Sequence, residues 1–408
     1  MLKRLSVKNY KSIDALELEL GRVNVFIGEN GCGKSNLLEA IALAGAAEAN
    51  KLDNEFLTSR GIRVTEPILM RSRFTDENVN GTIDIEVNYT DDKVKNIVFN
   101  LSNDNQAYSK WTYKTDAIAE LLLPFDDSEI EHLNLTIQNY KKFIESTLTD
   151  NAISDALKLK VRKTVKESIN KFIQNQLKER LDRKKDLRLS SFIIYSPENS
   201  ALRTFSREGQ IEPLGINGEG LLKLLKVMNE NDSESIKKID SYLKLFNWYS
   251  SFAIPKEICE QDDGIVIKDK YLKTALIDQK SANEGFLFVL FYISLIVSSD
   301  TPKIFAIDNI DASLNPKLCT KIIEEISNLT KVYQKQILLT THNPAILDGL
   351  DLNDPEQRLF VVSRNVRTGA TRVKRITMDD KPKSSTGEAL KLSEAMLRGY
   401  LGGLPKGF

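Results

Sequence analysis

A run of apolar residues that leads into a glycine-rich turn decides the fold of this 408-residue chain. The stretch reads Val23-Asn24-Val25-Phe26-Ile27-Gly28-Glu29-Asn30-Gly31-Cys32-Gly33-Lys34-Ser35. Its first five residues are typical of a buried central strand. The remainder matches the G-x-x-x-x-G-K-S phosphate loop. Apolar residues continue at Leu37, Leu38 and Ile41, which predicts a helix directly after the loop.

The chemistry of this loop points to a nucleotide. Glycines let the backbone turn tightly, so that several N–H groups face the β-phosphate, and the start of the helix near Lys34 adds partial positive charge. Lys34 reaches the β- and γ-phosphates, and the hydroxyl of Ser35 binds Mg²⁺. The alternative, an accidental glycine-rich turn, is disfavoured by its position between a strand and a helix. We predict ATP and Mg²⁺ as cofactors, with nucleotide contacts from Gly28, Glu29, Asn30, Gly31, Cys32, Gly33, Lys34, Ser35 and Asn36.

A second apolar run, Ile304–Ile307, ends in Asp308. A carboxylate at the end of such a strand lies beside the phosphate loop and holds the Mg²⁺ shell. Ser35 and Asp308 are therefore the predicted metal ligands. The alternative is an ordinary buried strand with a terminal aspartate.

The remaining pattern predicts an α/β protein. Alternation near Leu2–Leu20, Thr82–Tyr89 and Asn96–Leu101 predicts strands with one exposed face. Further short strands are predicted at Ile337–Leu339 and in a closing hairpin, Leu359–Val362 with Thr371–Arg375. Strands that alternate with helices favour a sheet covered by helices.

The motifs resemble those of the RecF, SMC and OLD-like ABC-type ATPases. The resemblance lies in Asn9–Ser12, the phosphate loop and the run that ends at Asp308, followed by Asp311–Pro316, which is similar to the D-loop of that class. Thr340–Pro344 is similar to its switch-histidine loop, which implies that His342 contacts the γ-phosphate. A strand-end histidine that caps or packs is the alternative. The resemblance implies a P-loop NTPase fold, a two-lobed ABC ATPase head.

The residue after Asp308 departs from that class, in which a glutamate polarises the attacking water. Asn309 stands there, and a carboxamide cannot act as a general base, although it can orient water. We predict slow or absent ATP hydrolysis, with Asn309, Asp311 and His342 as the catalytic candidates. Asp311 is a substitute base whose direction the sequence does not give.

The signature segment of the class, serine-x-glycine at a helix start, is matched only in part. Asn283, Glu284 and Gly285 precede the apolar run Phe286–Val297. An asparagine can still donate to a phosphate, and the resemblance implies that this segment covers the nucleotide of a second copy. A plain helix cap is the alternative. The predicted assembly is a homodimer or a higher oligomer.

Residues near the C-terminus resemble those of small bacterial antiphage ATPases, in particular the Septu ATPase family. The similarity includes Leu392–Glu394, Arg398–Tyr400 and Gly402–Pro405, together with Tyr195–Pro197. It implies an ATPase subunit that regulates a separate HNH-type nuclease. A RecF-like DNA repair or recombination ATPase is the alternative, and a transporter ATPase subunit is a third one.

The stretch 158–188 is basic, with twelve basic and four acidic residues in a chain whose 57 Lys and Arg balance 57 Asp and Glu. An apolar stripe along 157–181 predicts a helix, so the basic face would point outward. That suits sequence-independent phosphate contact. A solvated face or a docking face for an acidic partner are the alternatives. The DNA-contact candidates are Arg162, Lys163, Lys166, Arg183, Lys184 and Lys185.

Composition argues against several other classes of protein and of site. Three distant cysteines and two histidines argue against a disulfide framework, a zinc site and an intrinsic HNH nuclease. The longest apolar run, Phe286–Val297, is shorter than the roughly 20 residues of a membrane span, so we expect a cytoplasmic protein with no membrane contact. The predicted domains are residues 1–106 with the phosphate loop, a helical insertion at 107–190, and 191–408 with the other motifs. An antiparallel sheet and the phosphate-loop helix are expected to form one part, and a sheet with Asp308 and His342 the other.

Overall fold

The computed structural model of the protein describes residues 1–90, 96–106, 108–115, 189–204, 211–254, 264–382 and 390–403. They belong to one compact unit, which comprises residues 1–115 and 188–408. No helix in this part of the chain is long and apolar enough to cross a membrane. Most of the predicted helical insertion lies outside the described residues, and the insertion stays a prediction.

Strands and helices are interspersed along the described part of the chain. The strands are β1 (Leu2–Tyr10), β2 (Ile13–Glu19), β3 (Val23–Ile27), β4 (Ile83–Tyr89), β5 (Ile97–Ser102), β6 (Thr112–Thr115), β7 (Ile194–Tyr195), β8 (Tyr249–Ala253), β9 (Val266–Asp269), β10 (Ile277–Asp278), β11 (Ile304–Ile307), β12 (Gln336–Thr341), β13 (Gln357–Arg364) and β14 (Thr371–Ile376). The helices are α1 (Lys34–Glu48), α2 (Asn54–Ser59), α3 (Pro67–Met70), α4 (Asp76–Asn80), α5 (Asn199–Leu202), α6 (Leu221–Asn231), α7 (Ser233–Leu243), α8 (Glu284–Val297), α9 (Pro316–Val332) and α10 (Leu392–Leu397). Short 3₁₀ segments lie at Leu189–Ser191, Gln279–Ser281, Pro344–Gly349 and Met378–Asp380.

An antiparallel sheet is built by the N-terminal strands in the order β2-β1-β4-β5-β6. Its alternation is as predicted: Ile83, Ile85 and Val87 of β4 are buried, and the residues between them are partly exposed. The sheet continues to Thr115, past the predicted start of the insertion at residue 107. Residues Thr112–Thr115 include two threonines and a tyrosine, which are common in strands, and β6 pairs with β5 at the end of the sheet as described.

A second sheet has the order β14-β13-β3-β12-β11-β7 within the described chain. Its strands from β13 to β7 are parallel, and β14 closes it as an antiparallel hairpin with β13. The predicted closing hairpin is thereby confirmed. The strand β3, which leads into the phosphate loop, lies in this sheet and not in the antiparallel one. The expected division into two parts is corrected on this point, because the five buried residues of β3 need partners on both sides.

The apolar run predicted as a buried helix is α8. Every residue from Gly285 to Val297 is buried, which matches a helix that is apolar on all sides. Its C-terminal end is fixed by a lysine: Nζ of Lys335 donates to the carbonyl oxygens of Leu295 (2.9 Å) and Ser298 (2.6 Å). A cation at this end of a helix also interacts favourably with the helix dipole.

Helix α1 packs unusually closely at Gly45. A β-carbon at this position would lie 2.1 Å from the carbonyl oxygen of Leu189, in the 3₁₀ turn after the undescribed segment. Since backbone atoms cannot give way as a flexible side chain can, the site requires glycine despite its poor helix propensity.

We therefore expect Gly45→Ala to destabilise the protein. Helix propensity alone favours alanine by about 1 kcal/mol, but overpacking costs about 1–3 kcal/mol and the clash with the Leu189 carbonyl is direct. The net effect should be a lower free energy of unfolding, measured by urea denaturation. An increase would show that α1 and the 3₁₀ turn can separate freely.

Candidate nucleotide-binding site

Three neighbouring parallel strands bring the predicted motifs to one edge of the second sheet. The strands are β3, β12 and β11, and their carboxyl ends lead into the phosphate loop, the His342 loop and the Asp308 segment, respectively. In register, Ile27 at the end of β3 lies opposite Thr341. Ligands of open α/β sheets bind at this edge.

The lysine of the loop is held inside it. Lys34 is 5% exposed, and Nζ donates to the carbonyl oxygens of Gly28 (2.9 Å) and Glu29 (3.0 Å). Burial lowers the pKa of this ammonium group below its usual range. The same Nζ lies 3.4 Å from Nδ1 of His342. A phosphate that arrives here would meet a partly desolvated cation.

Ser35 and Asp308, the predicted metal ligands, are in direct contact. Oγ of Ser35 donates to Oδ2 of Asp308 at 2.9 Å. The other carboxylate oxygen, Oδ1, accepts from the hydroxyl of Thr340. A hydroxyl and a carboxylate at one point are oxygen ligands of the kind that Mg²⁺ takes together with water and phosphate oxygens. The residues present therefore fit this ion.

Asn309 has a left-handed backbone, with φ of 55°, a conformation that asparagine tolerates better than most residues. Its N–H donates to Oγ1 of Thr340 at 2.9 Å. Thr340 therefore binds both Asp308 and Asn309, so this hydroxyl ties the end of β11 to β12. The role of Asn309 in catalysis stays a prediction.

Asp311 lies against the His342 loop. Its Oδ1 accepts a hydrogen bond from Oγ1 of Thr341 at 2.6 Å and a longer one from the backbone N–H of His342 at 3.4 Å. These contacts give the direction that the sequence did not: the carboxylate holds the loop that carries the histidine. An oxygen so engaged is less available as a general base.

His342 itself faces the phosphate loop. Burial lowers the pKa of its imidazole, and the nearby Lys34 lowers that pKa further, whereas Asp311 opposes the shift. A lowered pKa favours the uncharged imidazole, and Nδ1 of that form accepts from the lysine when the ring proton is on Nε2. The cysteine of the loop, Cys32, is buried, and burial raises the pKa of its thiol.

The predicted signature segment lies at the start of α8. Oδ1 of Asn283 accepts from the N–H of Phe286 at 3.3 Å, so this side chain acts as a helix cap here. Glu284 accepts from the hydroxyl of Ser313, and Gly285 lies close to the Ser313 carbonyl. Among the described residues, no hydrogen bond joins 283–285 to 28–36. A role of this segment toward a second copy stays a prediction.

Sequence reasoning missed a charged cluster beside the loop. The buried carboxylate of Glu39 in α1 accepts from Nε of Arg63 at 2.6 Å and forms an ion pair with Lys11. It also accepts from the hydroxyl of Tyr10 at 3.1 Å. A lone acid in the apolar face of α1 was the available signal for Glu39, whereas nothing local marked Arg63.

These cations border a cavity of about 460 Å³. The cavity adjoins the phosphate loop through Ser12 and Asn36, and its lining contains no acidic residue. Such a lining favours an anionic ligand. The lining residues are Lys11, Ser12, Asn36, Arg63, Thr65, Leu69, Arg71, Ser72, Arg73, Phe74 and Arg364.

The six DNA-contact candidates between Arg162 and Lys185 lie outside the described residues. Their role stays a prediction from the sequence.

Comparison with known proteins agrees with this geometry. Residues 23–348 match the protein family described as "AAA domain, putative AbiEii toxin, Type IV TA system". The chain belongs to this family. It is accordingly an ATPase of the AAA and ABC type, and the matched range contains the phosphate loop, Asp308 and His342.

Shorter matches connect it to DNA repair proteins. The chain is 39% identical to the DNA replication and repair protein RecF of Phocaeicola vulgatus over 64 residues, which are 15% of this chain and 17% of that protein. It is 48% identical to RecF of Bacteroides fragilis over 42 residues, 10% of this chain and 11% of that protein. The chain thus spans less than a fifth of the length of these relatives.

A solved structure confirms the predicted fold. The chain is similar to an Smc head crystallised with the C-terminal winged-helix domain of ScpA, with a TM-score of 0.52 and 12% identity. The match covers 93% of this chain and 98% of the other. The fold is that of an ABC-type P-loop ATPase head.

The surroundings of His342 predict opposite effects of two substitutions on its pKa. Lys34→Met removes a nearby positive charge and should raise the pKa, while Asp311→Asn removes a negative charge and should lower it. Both shifts can be followed by NMR titration, because the chain has only two histidines and His132→Gln assigns the other signal. Shifts of the same sign would contradict the placement of His342 between these groups.

Proposed function

We propose that this protein is a nucleotide-held switch, an ATPase that binds ATP between two copies and turns it over slowly. The observation that carries the proposal is the meeting of Lys34, Ser35, Asp308 and His342 at one sheet edge, with Asn309 directly after the metal-binding aspartate. The group supports binding of a phosphate chain with its metal. The residue directly after Asp308 is the amide Asn309, which cannot accept a proton from water.

Each residue has a defined part in this proposal. Lys34 leaves its carbonyl partners in the loop and binds the β- and γ-phosphates. Ser35 and Asp308 hold Mg²⁺, which neutralises phosphate charge when bound. His342 contacts the γ-phosphate, and Asp311 keeps it in place through the backbone of the loop. Asn309 orients water without accepting its proton, so hydrolysis is slow.

The second copy completes the site in this proposal. Asn283, Glu284 and Gly285 of one copy cover residues 28–36 of the other. Their contact with Ser313 within the same copy supports this, since it joins the signature segment and the D-loop into one surface. If the hydrogen bond between Asn283 and the N–H of Phe286 broke, the Asn283 side chain could donate to the phosphate of the other copy.

Two observations support a biological role for the switch. The family description names a toxin of a type IV toxin–antitoxin system, and a state that persists while nucleotide is bound suits the control of such an activity. The residues near the C-terminus that resemble the Septu ATPases favour a separate HNH-type nuclease as the controlled partner. We propose that ATP controls this nuclease in antiphage defence.

A RecF-like role in DNA repair or recombination is the second candidate. The RecF matches favour it. It differs in its expected kinetics, because a repair ATPase of this kind would hydrolyse ATP steadily and faster in the presence of DNA.

Turnover in Asn309 variants tests the slow-hydrolysis proposal. Asn309→Glu and Asn309→Asp restore a carboxylate and should speed hydrolysis at least about tenfold, because general-base catalysis contributes about 10²–10⁴-fold. Aspartate is the matched variant, since it keeps the size of asparagine and tolerates the left-handed backbone. Lys34→Ala should abolish ATP binding. Binding and phosphate release would be measured on the same preparations.

The opposite result separates the two candidates. Brisk hydrolysis by the wild type, accelerated by DNA and not raised by a carboxylate at residue 309, would remove the nucleotide-held switch and leave the repair ATPase.

Charge reversal tests the proposed DNA surface. Replacing Arg183, Lys184 and Lys185 with glutamate should weaken binding of duplex DNA and flatten its dependence on salt, since each lost phosphate contact lowers the slope by about one. The same substitutions at Lys237, Lys238 and Lys244, which lie in or just after α7, provide a control outside the basic segment. An unchanged salt slope would contradict DNA contact by this segment.

A further inference from the structure

A chain of side-chain hydrogen bonds runs from the basic cavity to the backbone of the phosphate loop. Arg63 donates to Oδ1 of Asn36 at 3.1 Å, and Nδ2 of Asn36 donates to Oγ of Ser12 at 2.6 Å. The Ser12 and Thr371 hydroxyls are 2.7 Å apart. Oγ1 of Thr371 then donates to the carbonyl oxygen of Cys32 at 2.9 Å.

The direction of this chain is fixed by its two ends. An amide nitrogen and a guanidinium only donate, and a carbonyl only accepts. Thr371 has one hydroxyl proton and gives it to Cys32, so Ser12 must donate to Thr371. Each hydroxyl therefore gives one proton and receives one, which is the arrangement in which hydrogen bonds strengthen one another.

The last bond of the chain sets the orientation of one peptide group. In a trans peptide the C=O of one residue and the N–H of the next point in opposite directions. Since Thr371 holds the carbonyl of Cys32, the N–H of Gly33 points away from Thr371. Backbone N–H groups of the loop are the donors that bind the β-phosphate.

Gly33 shows how closely Thr371 approaches the loop. A β-carbon there would lie 2.2 Å from Oγ1 of Thr371 and 2.7 Å from Oγ of Ser12, and φ of Gly33 is 107°. Glycine is required at residue 33 because other residues rarely adopt this φ, and because a β-carbon would clash with the hydroxyls of Ser12 and Thr371. The loop and the hydroxyl pair are therefore fitted to one another.

The closing hairpin holds the loop at a second point. Nε of Arg364, at the end of β13, donates to the carbonyl oxygen of Gly31 at 3.0 Å. The backbone N–H of Thr371 donates to the carbonyl oxygen of Ser12 at 2.7 Å. Two consecutive carbonyls of the loop, those of Gly31 and Cys32, are thus bound from a hairpin that lies more than 300 residues later in the chain.

We propose that Thr371 is a positioning residue for nucleotide binding, whose hydroxyl orients the Cys32–Gly33 peptide so that the Gly33 N–H faces the β-phosphate. The inference rests on the proposed binding of ATP at this loop. It adds the closing hairpin to the nucleotide site, because Thr371 acts through the backbone of the loop.

The test compares two substitutions of Thr371 that differ in one group. Thr371→Val has the same shape but no hydroxyl, and Thr371→Ser keeps the hydroxyl. Affinity for AMP-PNP with Mg²⁺ would be measured by calorimetry on the full chain, together with the melting temperature. We expect Thr371→Val to weaken AMP-PNP binding about tenfold, the loss that corresponds to one hydrogen bond, and Thr371→Ser to bind within about twofold of the wild type.

A second variant covers the case in which Thr371→Val fails to fold. Ser12→Ala removes the donor to Thr371 and the acceptor for Asn36, and it should weaken AMP-PNP binding in the same direction. Equal affinity of folded Thr371→Val and wild type, or the same loss in Thr371→Val and Thr371→Ser, would overturn the positioning role alone. Absence of AMP-PNP binding by the wild type would overturn the proposed function and this inference together.

Discussion

The site depends on the parallel pairing of β3 with β12. This pairing places the first residue of the phosphate loop beside the end of β12, where Thr340, Thr341 and His342 follow one another. Thr340 and Thr341 then bind Asp308 and Asp311 through their hydroxyls. If β3 paired elsewhere, the loop would keep its sequence but lose the aspartate, the histidine and the hairpin that complete it.

Burial gives this arrangement its electrostatic character. The loop lysine is held by backbone carbonyls in a setting that disfavours its charge, and burial likewise lowers the pKa of the neighbouring histidine. Water is a weaker competitor for a phosphate at such a place than at an open surface. One turn farther along α1, the single carboxylate of Glu39 pairs with both Lys11 and Arg63, so this cluster keeps a net positive charge.

Much of this arrangement could be predicted from the local sequence, and the features that could not be predicted share a physical cause. The buried strands, α8 and the phosphate loop were predictable, because each is written in consecutive residues or in a regular spacing. The contacts of Thr371, Arg364 and Arg63 with the loop were not, since they join residues that only the folded sheet brings together. The membership of β3 in the later sheet escaped prediction for the same reason, as apolar residues show burial but not the neighbour. Asn283 illustrates a further limit, because its sequence position does not distinguish the helix cap that the structure shows from the proposed contact with a nucleotide.

The central position of β3 also governs how the protein can be made. Both strands that flank it, β12 and β13, are synthesised about 300 residues later, and even Leu2 near the N-terminus exchanges hydrogen bonds with the side chain of Gln336. A growing chain therefore carries its phosphate loop through the synthesis of about 300 further residues before both strands that flank β3 exist. Pairings of such high sequence separation form slowly. A product truncated before β13 would carry the phosphate-loop sequence without the strands and the hairpin that hold it in shape.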